Sequence, residues 1–438
     1  MGRVSTLQGG HRLEGQSTMR IKLLLSFVLI LLSGCATMGG QTNVEPTQTL
    51  LKAEKEVRES QLLDVDIAVF DPGTLPENKD KARGLSMKIR EAEARFIPIH
   101  LRAVMEKTGY WGAVRVLPEQ SEGYELLVQG TIIASDGETL ALEVEALDAS
   151  GRAWFSRNYW GKTTAADYQT ISAGTDGFQA VYRAIANDLA QFRNNLSDEQ
   201  RTAIRRIADM RFAANMAPDA FSGHIEKDES DQYRLLRLPA KDDPAYQRVA
   251  RVRERDFLLI DTLNGHYENY YRDMQLPYEE WRKARSIEAE ALREVKRKAN
   301  TSKALGVMAI ITAIAIEATG NSSTRASTGT LRDVMVIGGA AAIKHGMDVN
   351  AQSTLHEEEI SELGISFSSE AEPMVVEVDG EVHRLTGSAE AQYTQWRDLM
   401  KKIYASETGL EPETPAESEP EENSLPAPEK LEQPETQL

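Results

Sequence analysis

The chain has one cysteine in 438 residues, Cys35, so no disulfide can form within it. Once that thiol is consumed, no thiolate is left for catalysis. Nucleophile and phosphate motifs are missing as well: there is no Ser-x-x-Lys, no Gly-x-Ser-x-Gly, no P-loop and no Gly-x-Gly-x-x-Gly. Six histidines follow Cys35 (His100, His224, His266, His345, His356 and His383), and none falls in an HxH or HExxH arrangement. His356 is followed by three glutamates, with no second histidine on the same helical face, so neither a metal nor a cofactor is expected. Carboxylates are too many to be informative, 68 in the chain, and no pair of them argues for a glycosidase. The chain reads as a non-enzyme. Basic residues are in deficit, 50 Lys and Arg for a formal net charge of -18, which disfavours nucleic acid as a partner.

What is present starts with "MRIKLLLSFVLILLSGC", Met19 to Cys35. Arg20 and Lys22 form a positive start, and Leu23 to Leu32 is an apolar core of signal-peptide length, too short to span a bilayer. Leu32-Ser33-Gly34-Cys35 then resembles the bacterial lipobox. The resemblance implies a diacylglyceryl group on the Cys35 thiol, cleavage before it, and acylation of the new amino terminus. It also implies palmitate-type chains and stable anchoring. Met19 is then the expected start, with residues 1–34 removed. Ala36, in place of an aspartate, implies by the same resemblance export to the outer membrane, and a periplasm-facing body is the expectation although Ala36 does not set the side.

Residues 35–60 read as a lipidated tether, with "MGGQTN" flexible and "LLKAEKEVRES" a candidate helix. From Leu63 the pattern becomes structural. Leu63, Val65, Ile67 and Val69 alternate as in a strand, and a helix is expected over 85–108, broken or restarted at Pro98. "AVRVL" is a short strand. "YELLVQGTII", "LALEVEAL" and "AWFSRNYW", joined by "SDGE" and "ASGR", predict an antiparallel meander. Phe178, Val181, Tyr182, Ile185, Leu189 and Phe192 mark one face of a helix.

The fold class is therefore α+β: a small α/β sandwich with a mostly antiparallel sheet over 61–195, then a mainly helical region with a β-hairpin. That order of elements, over 61–195, resembles the periplasmic domain found in the amino-terminal region of TolB, the curli-secretion lipoprotein CsgG and the activators of penicillin-binding proteins. The resemblance implies binding and assembly roles and brings no active-site residues with it.

A helical domain is expected over 196–300. Ser197 and Gln200 form a capping box, one helix starts at Asp243-Pro244, and another is expected after Pro277. Residues 347–405 should hold a hairpin, "MVVEVDGEVHRL", and a last helix carrying Trp396, Leu399, Met400 and Ile403 on one face. Residues 406–438, with ten Glu, one Lys and six prolines, read as a disordered acidic tail.

Two apolar stretches at 304–320 and 334–343 make a helical hairpin over 301–346. It reads as a buried hairpin, or as a self-association surface where Gly338, Gly339, Ala340, Ala341 and Ala342 allow close approach, or as a membrane-inserted element. The second and third readings allow a homo-oligomer, and the third an export channel built on 303–346. Tyr267, Tyr270, Tyr271, Tyr278 and Trp281 cluster around a helix junction, where they cement packing or offer rings to stack on a polysaccharide. Arg248, Arg251 and Arg255 share a helical face. The favoured function is a lipid-anchored binding or assembly factor whose envelope partner the sequence does not name.

Overall fold

A computed structural model describes residues 40–78, 85–171, 175–240, 242–301, 354–367, 373–378 and 381–408. Cys35, the apolar stretches at 304–343 with Gly338 to Ala342, and the tail beyond Thr408 lie outside the described residues.

The centre of the α+β fold is a mixed six-stranded sheet. Its strands are β1 (Gly40–Asn43), β2 (Val65–Ala68), β3 (Val114–Leu117), β4 (Leu126–Ser135), β5 (Thr139–Asp148) and β6 (Ala153–Lys162), in the order β1-β6-β5-β4-β2-β3. The long strands form the expected meander, β4 to β5 to β6, with antiparallel ladders. Both connections turn on a glycine in the left-handed region, Gly137 at φ 88 and Gly151 at φ 84. The short strands join in parallel, β2 between β4 and β3, and β1 on the outside of β6.

Helix α1 (Met87–Glu106) and helix α3 (Gln179–Asn194) cover one face, with the short α2 (Ala165–Thr170) between them in sequence. Val181, Tyr182, Ile185 and Leu189 face the sheet as their spacing predicts. Pro98 does not break α1. A proline has no N–H to give to the carbonyl four residues back, and here that carbonyl, Ala94 O, accepts the N–H of Phe70 at 2.9 Å instead. The proline thus frees the acceptor that ties the end of β2 to the helix.

Helix α4 (Asp198–Met216) opens with the expected capping box, Ser197 and Gln200 each bonding the other's backbone N–H. Its Ile204 and Ile207 enter the core between sheet and helices, while Met210 and Phe212 enter a second core shared with α1, β3 and the later helices. The boundary drawn between an α/β domain and a helical domain at 195/196 therefore separates no cores; α4 stitches the two together. Helix α5 (Pro218–Phe221) and a small hairpin, β7 (Ile225–Lys227) with β8 (Tyr233–Leu235), follow.

Helix α6 (Pro244–Thr301) is one continuous helix of 58 residues, where two were expected. Pro277 sits inside it without ending it. The preceding and following turns bury Met274, Tyr278 and Trp281, which holds the helix through the lost hydrogen bond, while the deprived residue, Asp273, is exposed to solvent. A helix over 354–367, a hairpin of β9 (Met374–Val378) and β10 (Glu381–Leu385), and helix α8 (Ala389–Thr408) pack on α6; the 354–367 helix is α7. Trp396, Met400 and Ile403 are buried as their spacing predicts.

The tether is the largest correction. The chain is part of the fold from Gly40 onward, because β1 pairs with β6 and residues 44–61 lie against the body. Asn187 clamps this strap from α3, its Oδ1 accepting from Leu51 N at 2.7 Å and its Nδ2 donating to Thr49 O at 2.7 Å. Ala53 N donates to Thr108 O at 2.8 Å and Arg193 donates to Gln61 O at 2.7 Å. The stretch "LLKAEKEVRES" is irregular rather than helical and runs into one 3-10 turn, Glu59–Gln61.

Candidate functional site

The aromatic cluster does not offer its rings to a ligand. Tyr267 and Tyr278 are 0% exposed and Trp281 1%, Tyr270 is buried, and Tyr271 is half-buried. Tyr278 stacks on Trp281 at 6.0 Å, and Tyr271 on Phe96 of α1 at 4.6 Å. These residues bind α6 to α1, which is the packing use of the same pattern.

Around them lies a sealed polar network. Glu93 of α1 accepts from the hydroxyls of Ser135 and Tyr278. Arg282 of α6 reaches both oxygens of Asp176, at 2.9 and 2.8 Å, and donates to the Tyr278 hydroxyl. His100 bonds Tyr271 at 2.6 Å and Gln179 at 2.9 Å. Burial raises the Glu93 carboxyl above its ordinary range and depresses His100, and both shifts favour neutral forms. Groups so perturbed often mark active sites, but here the partners are other side chains of the fold, and Glu93, His100, Ser135, Asp176, Tyr278 and Arg282 are all buried. The arrangement joins α1, α3 and α6.

A second cluster sits where β2, β3 and the start of β4 meet α4, α6 and α8. Arg115 bridges Asp64 at 3.1 Å and Asp261 at 2.8 Å, and Arg253 pairs with Asp209 at 2.5 Å while donating to Gly123 O. Arg205 stands 3.5 Å from Glu125. Burial pushes the carboxyls of Asp66 and Glu125 up to about 7 each, with the Asp64 carboxylate adding to both. Beside it a cleft of about 120 Å³, lined by Phe212, Tyr246, Val249, Arg253 and Phe257, is smaller than the few hundred Å³ of an ordinary ligand pocket. No group of three or more His, Cys, Asp or Glu could hold a metal among the described residues. No described helix is long and apolar enough to cross a membrane.

The sequence reading missed both clusters. Asp64 and Asp66 alternate with Leu63, Val65 and Ile67, which reads as a strand with a solvent face. In the structure β2 lies inside the sheet and its second face is covered, so Asp66 is 7% exposed. The basic face of α6 is redistributed too: Arg253, outside the Arg248, Arg251, Arg255 set, makes the buried contact.

Two surfaces of the sheet remain accessible among the described residues. The outer face of the long strands is polar and open, with Glu143 exposed and Gln129 donating to Glu145 at 2.8 Å. The other is the β1–β6 edge. There Gly40 lies opposite Arg157, and two arginine–aromatic pairs, Arg157 with Phe155 and Arg152 with Phe192, lie on β6, the turn before it and α3. The Arg157 guanidinium lies 5.5 Å from the Phe155 ring and that of Arg152 lies 5.4 Å from Phe192. Arg157 is also held by Asp188 at 2.6 Å.

Comparison of the chain with protein-family models, with curated proteins and with solved structures gives no match.

Proposed function

We infer that the protein is a lipid-anchored lipoprotein of the bacterial envelope, held by Cys35 in the outer membrane on the periplasmic side. It acts there by binding, as a non-enzymatic factor in envelope assembly or transport. The observation that carries this reading is the run from Arg20 to Cys35: a positive start, an apolar core of signal length and Leu-Ser-Gly-Cys at its end. The strand Gly40–Asn43 already belongs to the sheet, which keeps the body close to the proposed cleavage point. The open sheet face and the exposed side of α6 supply contact surface for a protein partner.

The test is metabolic labelling with an alkyne analogue of palmitate. The wild-type chain takes up label and sediments with membranes, whereas Cys35→Ala does neither. Equal labelling of the two would overturn the anchor. Native mass in mild detergent addresses the partner: a defined complex with a second protein supports the binding factor, and a closed ring of copies favours the channel built on 303–346.

A further inference from the structure

We propose that the β1–β6 edge, with Arg152, Phe155, Arg157 and Phe192, is a docking surface for the phospholipid headgroup layer, and that the body sits on the membrane edge-on. The inference rests on the lipid anchor and goes beyond it, since an anchor alone sets no orientation.

Four residues separate Cys35 from Gly40. Five residue steps reach at most about 17 Å even when fully extended. A tether over 35–60 would have let the domain move freely tens of ångströms from the bilayer, but residues 44–61 are fastened to the body and add no reach. The start of β1 therefore stays close to the headgroups. Because β1 is the outermost strand and runs parallel to β6, the surface nearest to it is the first half of β6 with the last turns of α3.

The chemistry of that surface fits the occupant. Arg152 is exposed, and no carboxylate pairs with it among the described residues. Its guanidinium lies over the half-buried Phe192, which itself stacks on Trp154 at 4.7 Å. Phe155 is half-buried, and the Arg157 side chain is 43% exposed beside Asp188. Arginine with an aromatic ring beneath it can donate bidentate hydrogen bonds to a phosphate while the ring remains at the boundary of the acyl region. The opposite edge of the sheet, at β3, lies five strand spacings away, about 24 Å, and carries α6. Edge-on docking directs the stretch of α6 around Asn264 away from the membrane.

The test uses the lipidated protein, whose Cys35 thiol is occupied, so that one new cysteine is labelled selectively. Ala153→Cys, next to Arg152, and Leu258→Cys, 67% exposed on α6, each carry a fluorophore. The proteins are reconstituted in phosphatidylethanolamine–phosphatidylglycerol vesicles with a nitroxide on the headgroup. Flotation is scored first. The expected result is flotation of both, loss of emission at 153, unchanged emission at 258, and recovery of emission at 153 when Arg152→Glu is added. Flotation with equal quenching at the two positions, or quenching at 153 indifferent to Arg152→Glu, overturns the docking surface and leaves the anchor standing. Absence of flotation overturns the anchor and the docking surface together.

Discussion

The side-chain amide of Asn264 completes the edge of the sheet at Val116: its Oδ1 accepts the Val116 N–H at 2.8 Å and its Nδ2 donates to the Val116 carbonyl at 3.0 Å. Asn264 thus stands where a seventh strand would pair, and Arg102 also donates to its Oδ1, at 3.2 Å. An uncovered edge invites pairing with another chain, and α6 closes this one with a single residue. Asn264→Leu leaves a peptide N–H and carbonyl buried without partners, so the expected loss is about 2–4 kcal/mol in urea unfolding. A loss within measurement error would show that the amide is dispensable there.

Arg282 and Asp176 are nearly free of solvent, 1% and 4% by side chain. Removing one partner leaves a buried charge uncompensated. Asp176→Ala is expected to cost about 3–5 kcal/mol. Adding Arg282→Met to it should recover part of that loss, because the orphaned charge is then gone as well. Thermal melts of the two single variants and the double variant measure the coupling; strict additivity would argue against a direct pair.

Stability should fall with rising pH through the carboxyls of Asp66 and Glu125. Burial raises each from its ordinary value, 3.8 and 4.5, to about 7. The folded state then holds protons that the unfolded state has released. The stabilising contribution is complete below pH 3.8 for Asp66 and 4.5 for Glu125, and is lost as pH rises through about 7. Each group adds a slope of about 1.4 kcal/mol per pH unit at most between its two values. His100, depressed by burial, works with the opposite sign, weakening the fold as pH falls through the ordinary histidine value of 6.5. It is common to wild type and variant and cancels in their difference. Urea unfolding from about pH 5 to about pH 8 should therefore show the slope in wild type relative to Asp66→Asn/Glu125→Gln. Parallel curves would refute the assignment.

Gly137 is needed twice over. Its φ of 88 disfavours any side chain, and a Cβ there would stand 2.7 Å from Arg285 Cβ and 2.8 Å from Arg282 O. Neither neighbour is the tip of a flexible chain. Gly137→Ala should cost more than about 1 kcal/mol and lift α6 from the β4–β5 turn. Faster amide exchange around Arg282 would report the lift, and unchanged exchange would contradict it.

Most of the sheet is legible in the sequence because its long strands alternate cleanly and are joined by short glycine turns. The capping box at Ser197 is equally local, and so is the stripe ending at Ile403. What escaped depends on distant partners. Pro98 and Pro277 are strong local stop signals, overridden where Phe70 takes the freed Ala94 carbonyl and where Tyr278 and Trp281 bury. The strand at Gly40–Asn43 has no hydrophobic alternation at all; it is a strand because β6 offers it an edge. The aromatic cluster was visible as a cluster, but whether its rings face a ligand or a core is decided by α1, far away in sequence. Asn264 looks like any polar residue of a helix until Val116 is placed beside it.

The attachment of β1 also has a mechanical meaning. A pull transmitted through the chain ahead of Gly40 meets the ladder of β1 on β6 first. Behind it the two bonds of Asn187 to Thr49 and Leu51 form a second catch further along the chain. The amino-terminal segment is thus built as a graded mooring: a tug strong enough to strip the strand must still break the clamp on α3 before it reaches the core.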